Sequence, residues 1–119
     1  MSDDFLRVAT REINDDLVGM QDILSKCHSD GDILKVVPEL EKRMHRIKGL
    51  APMMGKKDIG ELSSLIDAIL KKILLGESIG SLKFLKDSCD VMMNSMNDSN
   101  MDCKKFYNQM KDKYSDYID

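Results

Sequence analysis

Apolar residues recur at steps of three and four along almost the whole chain, and this spacing limits the possible folds more than any other feature. Leu6, Ala9, Ile13, Leu17, Met20, Leu24 and Cys27 form a first stripe, and Val37, Leu40, Met44, Ile47 and Ala51 a second. Ile59, Leu62, Ile66, Ile69 and Ile73 follow, then Leu82, Leu85, Cys89, Met92 and Met96. A weaker fifth run holds Cys103, Phe106, Met110, Tyr114 and Tyr117. Each run lines one side of an α-helix, and none alternates as a half-buried strand would. With 7 Gly and 2 Pro in 119 residues, turn formers are too sparse for a sheet of many short strands. Helices with one apolar face each have to bury those faces on one another. The expected fold is all-α, an antiparallel four-helix bundle with an additional C-terminal fifth helix. No internal repeat or low-complexity linker interrupts the pattern, so residues 1–119 read as a single domain.

Local signals place the helix ends. Ser2 caps the first helix, with Asp3 and Asp4 at the positive end of its dipole. Ser29, Asp30 and Gly31 close it, and His28 supplies a side chain suited to the dipole's negative end. Pro38 suits the first turn of the second helix, with residues 32–37 as a preceding turn or a kinked extension. Pro52 lacks an N–H and conflicts with the carbonyl of Lys48, so the second helix is expected to kink or end there. Gly55 breaks the chain, and Asp58 with Glu61 reads as an Asp-x-x-Glu variant of the capping box. Gly76 closes the third helix, and the polar residues 97–100 close the fourth.

Several function classes fall away on composition. Three cysteines with no Cys-x-x-Cys spacing argue against a disulfide framework and a zinc site, and fit a reducing compartment. No apolar run approaches the ~18 residues of a membrane span, and the start of the chain lacks a secretory pattern, so a cytoplasmic protein without membrane insertion is expected. The formal net charge of -3 disfavours nucleic acid. The charge is uneven, however. Lys42, Arg43, Arg46, Lys48, Lys56 and Lys57 fall in a stretch that contains no acid, on an otherwise acidic body. Such an island suits one negatively charged group or an acidic partner surface. The ten methionines read as core filling in a chain with few aromatics, rather than as soft-metal ligands.

Within that island His45 is the one polar group that reads as chemically committed. It lies about 100° round the helix from the core position Met44, at the edge of the apolar stripe. Gly49 is one turn further on, above the imidazole, where glycine costs a helix about 1 kcal/mol against alanine. The absence of a side chain there leaves one edge of the ring uncovered. Lys48 lies on the same face and can reach an anion attached to the ring. Taken alone, a helix-borne histidine would better suit a surface or capping role.

The run His45-Arg46-Ile47-Lys48-Gly49-Leu50-Ala51-Pro52-Met53-Met54-Gly55 resembles the HxIKGxAxxMG signature of histidine phosphotransfer domains. It is most similar to the N-terminal phosphotransfer domain of CheA-type chemotaxis histidine kinases, and the helix layout matches over nearly the whole chain. The resemblance implies that His45 accepts a phosphoryl group on Nε2 from a separate ATP-binding kinase domain. It further implies transfer to an aspartate of a CheY- or CheB-type response regulator in two-component signalling. ATP and Mg²⁺ would belong to those partners, with no cofactor or metal bound here and no enzyme activity in this domain alone. The family's third-helix Glu, which bonds the other ring nitrogen, and its neighbouring His match Asp67 and Ser64. Asp67 is one methylene shorter and Ser64 offers no imidazole. Lys48 is expected to steady the phosphoryl group, while Gly49, Arg46 and Lys42 open or charge the approach for partners. A monomeric domain is expected, either part of a CheA-type kinase or a free-standing relay protein. The rivals are an interaction module in which His45 merely packs, and a metal-binding bundle.

Overall fold

The computed structural model describes residues 2–98 and 103–118. The chain is all-α: α1 (Asp3–Ser25), α2 (Asp30–Ile33), α3 (Val37–Met53), α4 (Lys57–Leu74), α5 (Leu82–Asn97) and α6 (Cys103–Lys113), then a 3₁₀ turn at Ser115–Tyr117. The described residues include no strand, and no helix among them is long and apolar enough to cross a membrane. Residues 99–102, which include the outer half of the expected polar break at 97–100, lie outside the described residues.

The four main stripes account for the packing. Ile13, Leu17, Met20, Leu40, Met44, Ile47, Leu62, Ile66, Ile69, Leu85 and Met92 are all fully buried. α3 lies along α4 in the most extensive pairing, α1 packs on both α3 and α5, and α4 also carries α5 and α6. The pairings α1–α3, α3–α4, α4–α5 and α5–α1 thus close a ring. The fifth stripe is the shallowest: Cys103 and Tyr114 are buried, Phe106 and Met110 only partly. All three thiols are buried and unbridged. Burial pushes Cys89 up to about 12 and Cys27 upward too, so neither is a thiolate near neutral pH.

Several helix ends differ from the local signals. Ser2 does cap α1, its Oγ accepting the Phe5 N–H at 3.1 Å. α1 stops at Ser25, however, and its last turn contains no basic side chain, so His28 is not its dipole partner. The His28 N–H is instead donated to Asp32 Oδ2 at 2.8 Å. Ser29 opens the one-turn α2, accepting from the Asp32 N–H at 3.3 Å. The expected capping box at Asp58 does not form: Lys56 is the cap residue of α4, and no side chain bonds there. α5 likewise has no local cap; Asp30 supplies one from α2, its Oδ1 accepting the N–H groups of Ser81 (3.1 Å) and Leu82 (2.9 Å). A carboxylate at that helix start also faces the positive end of the dipole. Pro52 sits in the last turn of α3, which ends at Met53, so the helix stops there. Gly55 (φ 77°) and Gly76 (φ 99°) then turn the chain away from α3 and α4.

One charged cluster ties α1 to α3. Asp16 is 4% exposed and takes Arg46 in a fork, Nη2 to Oδ1 at 2.6 Å and Nε to Oδ2 at 3.1 Å. Arg43 adds a 3.4 Å contact to the same carboxylate and a 3.1 Å bond to Glu39. Asp16 thus draws two of the six cations of the basic stretch into the α1–α3 contact.

Candidate functional site

The α3–α4 pairing positions His45. Met44 and Ile47 are buried on either side of it in the sequence, so the intervening imidazole emerges at the rim of the helix contact with its side chain 63% exposed. Opposite, Ile66, Ile69 and Leu70 pin α4, and Asp67 between them is carried into the interface with its side chain 1% exposed. Asp67 Oδ2 is the centre of the cluster. Lys71 Nζ reaches it at 3.0 Å from one turn along α4, and Lys48 Nζ at 3.3 Å from α3. His45 Nδ1 faces the same oxygen at 3.7 Å. Glu41, one turn before His45, places Oε1 at 4.0 Å from Nδ1 and at 4.0 Å from Lys71 Nζ. The two imidazole distances are ion-pair separations, too long for hydrogen bonds. Among the described residues Nε2 makes no hydrogen bond.

The two carboxyls are pushed in opposite directions. Burial acts most strongly on Asp67 and favours its neutral form, yet the Lys71 ammonium, the neighbouring Glu41 and the hydrogen bond from Lys48 outweigh it and hold the group below the usual aspartate range. Burial raises Glu41, and the neighbouring Asp67 adds to the rise, against the opposing charges of Lys71 and His45. As pH falls from neutral, Glu41 therefore takes up a proton before Asp67 does. Asp67 in turn raises Lys71, so both ammonium and carboxylate stay charged near neutrality.

Glu41, His45 and Asp67 each offer a ligand atom, all within 4.8 Å of one another. Two lysine ammonium groups already sit on the Asp67 oxygen that a metal ion would need. A divalent cation would have to displace both against their repulsion, so this donor set suits the lysines better than a metal.

Gly49 lies exposed beyond the ring, and a Cβ built there would meet nothing within 4 Å. Beside it a shallow groove of about 380 Å³ is lined by Glu12, His45, Arg46, Gly49, Leu50 and Met53. Because the position is open, Gly49→Ala is expected to stabilise the fold by about 0.5–1 kcal/mol through helix propensity alone. A rise in the urea midpoint at unchanged slope would show this; a fall would mean that the backbone at Gly49 is not an ordinary helical position.

His45, Lys48 and Asp67 are brought together by the α3–α4 contact. Ser64 is exposed and makes no hydrogen bond among the described residues. Lys42 is also exposed and has no ion pair there, whereas Arg46 is engaged by Asp16. Glu41 and Lys71 are additional members. Their signal was present, since Glu41 lies four residues before His45 and Lys71 four after Asp67, each one helical turn away. No family model, no curated protein and no solved structure matches the chain.

Proposed function

We propose that this chain is a histidine phosphotransfer domain, an antiparallel four-helix bundle with a C-terminal fifth helix, in which His45 receives and passes on a phosphoryl group. The observation that carries the reading is an imidazole 63% exposed at the helix rim, with Nδ1 turned toward two carboxyl groups, those of Asp67 and Glu41. A proton kept on Nδ1 leaves the Nε2 lone pair available. Nε2 attacks the phosphorus, the N–P bond forms, and the donor's bond to phosphorus breaks with its electron pair leaving on the donor. The resulting cationic ring lies beside two carboxyl groups, and Lys48 is one turn away to share its ammonium with the phosphoryl oxygens.

In the chemotaxis-type arrangement, the donor is a kinase ATP-binding domain and the acceptor is an aspartate of a CheY- or CheB-type response regulator. ATP and Mg²⁺ come with those partners, so this domain is the substrate of a cytoplasmic kinase, acts as a monomer and is no enzyme by itself. The uncovered backbone at Gly49 and the adjoining groove favour close approach by a partner.

Phosphoramidate tests the reading without any protein partner: its P–N bond breaks, ammonia leaves and a bond to His45 Nε2 forms. One phosphoryl group per chain is expected by intact mass, stable in alkali and lost in acid. Failure to take up phosphate from phosphoramidate and from a CheA-type kinase core with ATP would leave an interaction module as the better account.

A further inference from the structure

The cluster around His45 holds two carboxyls but only one proton on Nδ1, so the question is which of them receives it. Asp67 is nearer, at 3.7 Å against 4.0 Å for Glu41. Its Oδ2, however, already accepts a hydrogen bond from Lys48 at 3.3 Å and is ion-paired with Lys71 at 3.0 Å. Two ammonium groups thus already compete for the one oxygen that faces the ring. The other oxygen, Oδ1, is buried without a hydrogen-bond partner. A third donor on Oδ2 would have to weaken a charge-assisted bond from a lysine. Glu41 is placed differently. Its side chain is 20% exposed, it stands on the same helix as His45, and its separation from Lys71 is 4.0 Å, which is no hydrogen bond. Oε1 thus has acceptor capacity to spare. A small rotation of the exposed imidazole or of the glutamate closes the gap to Nδ1.

We infer that Glu41, rather than Asp67, is the positioning residue that holds the Nδ1 proton of His45, while Asp67 anchors Lys48 and Lys71 beside it. The inference deepens the phosphoacceptor reading and rests on it for its consequence, because the proton on Nδ1 is what leaves Nε2 nucleophilic. The charged groups that face Glu41 are Asp67 and Lys71 from α4 and His45 from its own helix.

The tautomer of His45 is measurable whether or not the ring is ever phosphorylated. Long-range ¹H–¹⁵N spectra of the full chain with labelled histidine, recorded where the ring is neutral, report the ratio of Nδ1–H to Nε2–H forms. The native chain is expected to carry the proton mainly on Nδ1. Glu41→Ala is expected to lower that ratio about fivefold, the size of a charge-assisted hydrogen bond at a half-exposed position. Glu41→Gln, which keeps an oxygen acceptor, should recover part of it, and Asp67→Asn should change it less than about twofold. The phosphoramidate rate should fall with the ratio across the series. A ratio that ignores Glu41→Ala overturns the inference, as does one that collapses only in Asp67→Asn. If instead the ratio responds as expected but no phosphoryl group enters the native chain, the phosphoacceptor reading fails and the role of Glu41 stands.

Discussion

Glutamine in place of His45 is expected to remove phosphoryl uptake by at least about a hundredfold and to leave the fold intact. The two halves of this outcome have separate causes. The amide nitrogen of glutamine is delocalised into its carbonyl and has no lone pair to offer phosphorus, so the nucleophile is lost outright. The imidazole, for its part, contributes little to stability. It is 63% exposed, its nearest carboxylates stand at 3.7 and 4.0 Å, and none of its atoms makes a hydrogen bond among the described residues. Exposed substitutions of this kind stay within about 0.5 kcal/mol, and glutamine is a good helix former. Circular dichroism and the thermal midpoint should therefore match the native chain, while the acid-labile label disappears. The chain has 2 histidines, and the other, His28, is exposed with its backbone held by Asp32. Acid-labile label that survives in His45→Gln and vanishes in His28→Gln would move the phosphoacceptor to the far end of α1 and overturn the assignment to His45.

The parts of the molecule visible in the sequence are those governed by a single period. Burial in α1, α3, α4 and α5 follows the 3.6-residue repeat, so Ile13, Met44, Ile66 and Met92 could be placed without coordinates. The position of His45 at the rim followed from the same repeat. Interactions between distant segments left weaker marks. Asp30 caps α5 from 51 residues away, and no local pattern announces a cap supplied by another helix. Asp58 shows the reverse, since the local pattern for a capping box is present but α4 begins one residue before it. The basic stretch read as a positive surface because charge runs are usually solvated, yet Asp16 draws Arg43 and Arg46 inward. A hint was available: Asp16 sits between the stripe residues Ile13 and Leu17, a face where an acid has to find a cation. Glu41 lies outside the family pattern that the sequence resembles, whose acid stands on the third helix. The helical neighbour of His45 one turn earlier is a matter of geometry alone. Ser64 matched the pattern by position only, on an exposed side of α4.

The separation of α3 and α4 sets the distances from His45 and Lys48 to Asp67, and Gly60→Val is expected to disturb it with a net loss of about 2 kcal/mol. A Cβ at Gly60 would stand 2.9 Å from Pro52 Cγ and 3.2 Å from Pro52 Cδ. Carbon atoms in good contact sit roughly 3.5–4.0 Å apart, so even one methyl group requires the helices to yield. Valine brings two more, and the proline ring opposite cannot rotate away as a long side chain would. Overpacking of this kind costs about 1–3 kcal/mol, offset only by the few tenths that valine gains over glycine as a helix former. The thermal midpoint should fall by roughly 10 °C for a domain of this size. Asp67 follows Gly60 by seven residues, about 10 Å along α4, so a wedge at Gly60 also loosens the reach of Lys48 to Asp67 and slows phosphoryl uptake. Pro52→Ala removes the ring atoms that obstruct. In the double variant the clash is relieved, and at least half of the lost stability should return, a coupling between touching residues that independent defects would not give. Were Gly60→Val to cost the same with proline or alanine at position 52, this contact would not be what holds α3 and α4 at their spacing, and the geometry at His45 would have to be set by the buried stripe alone.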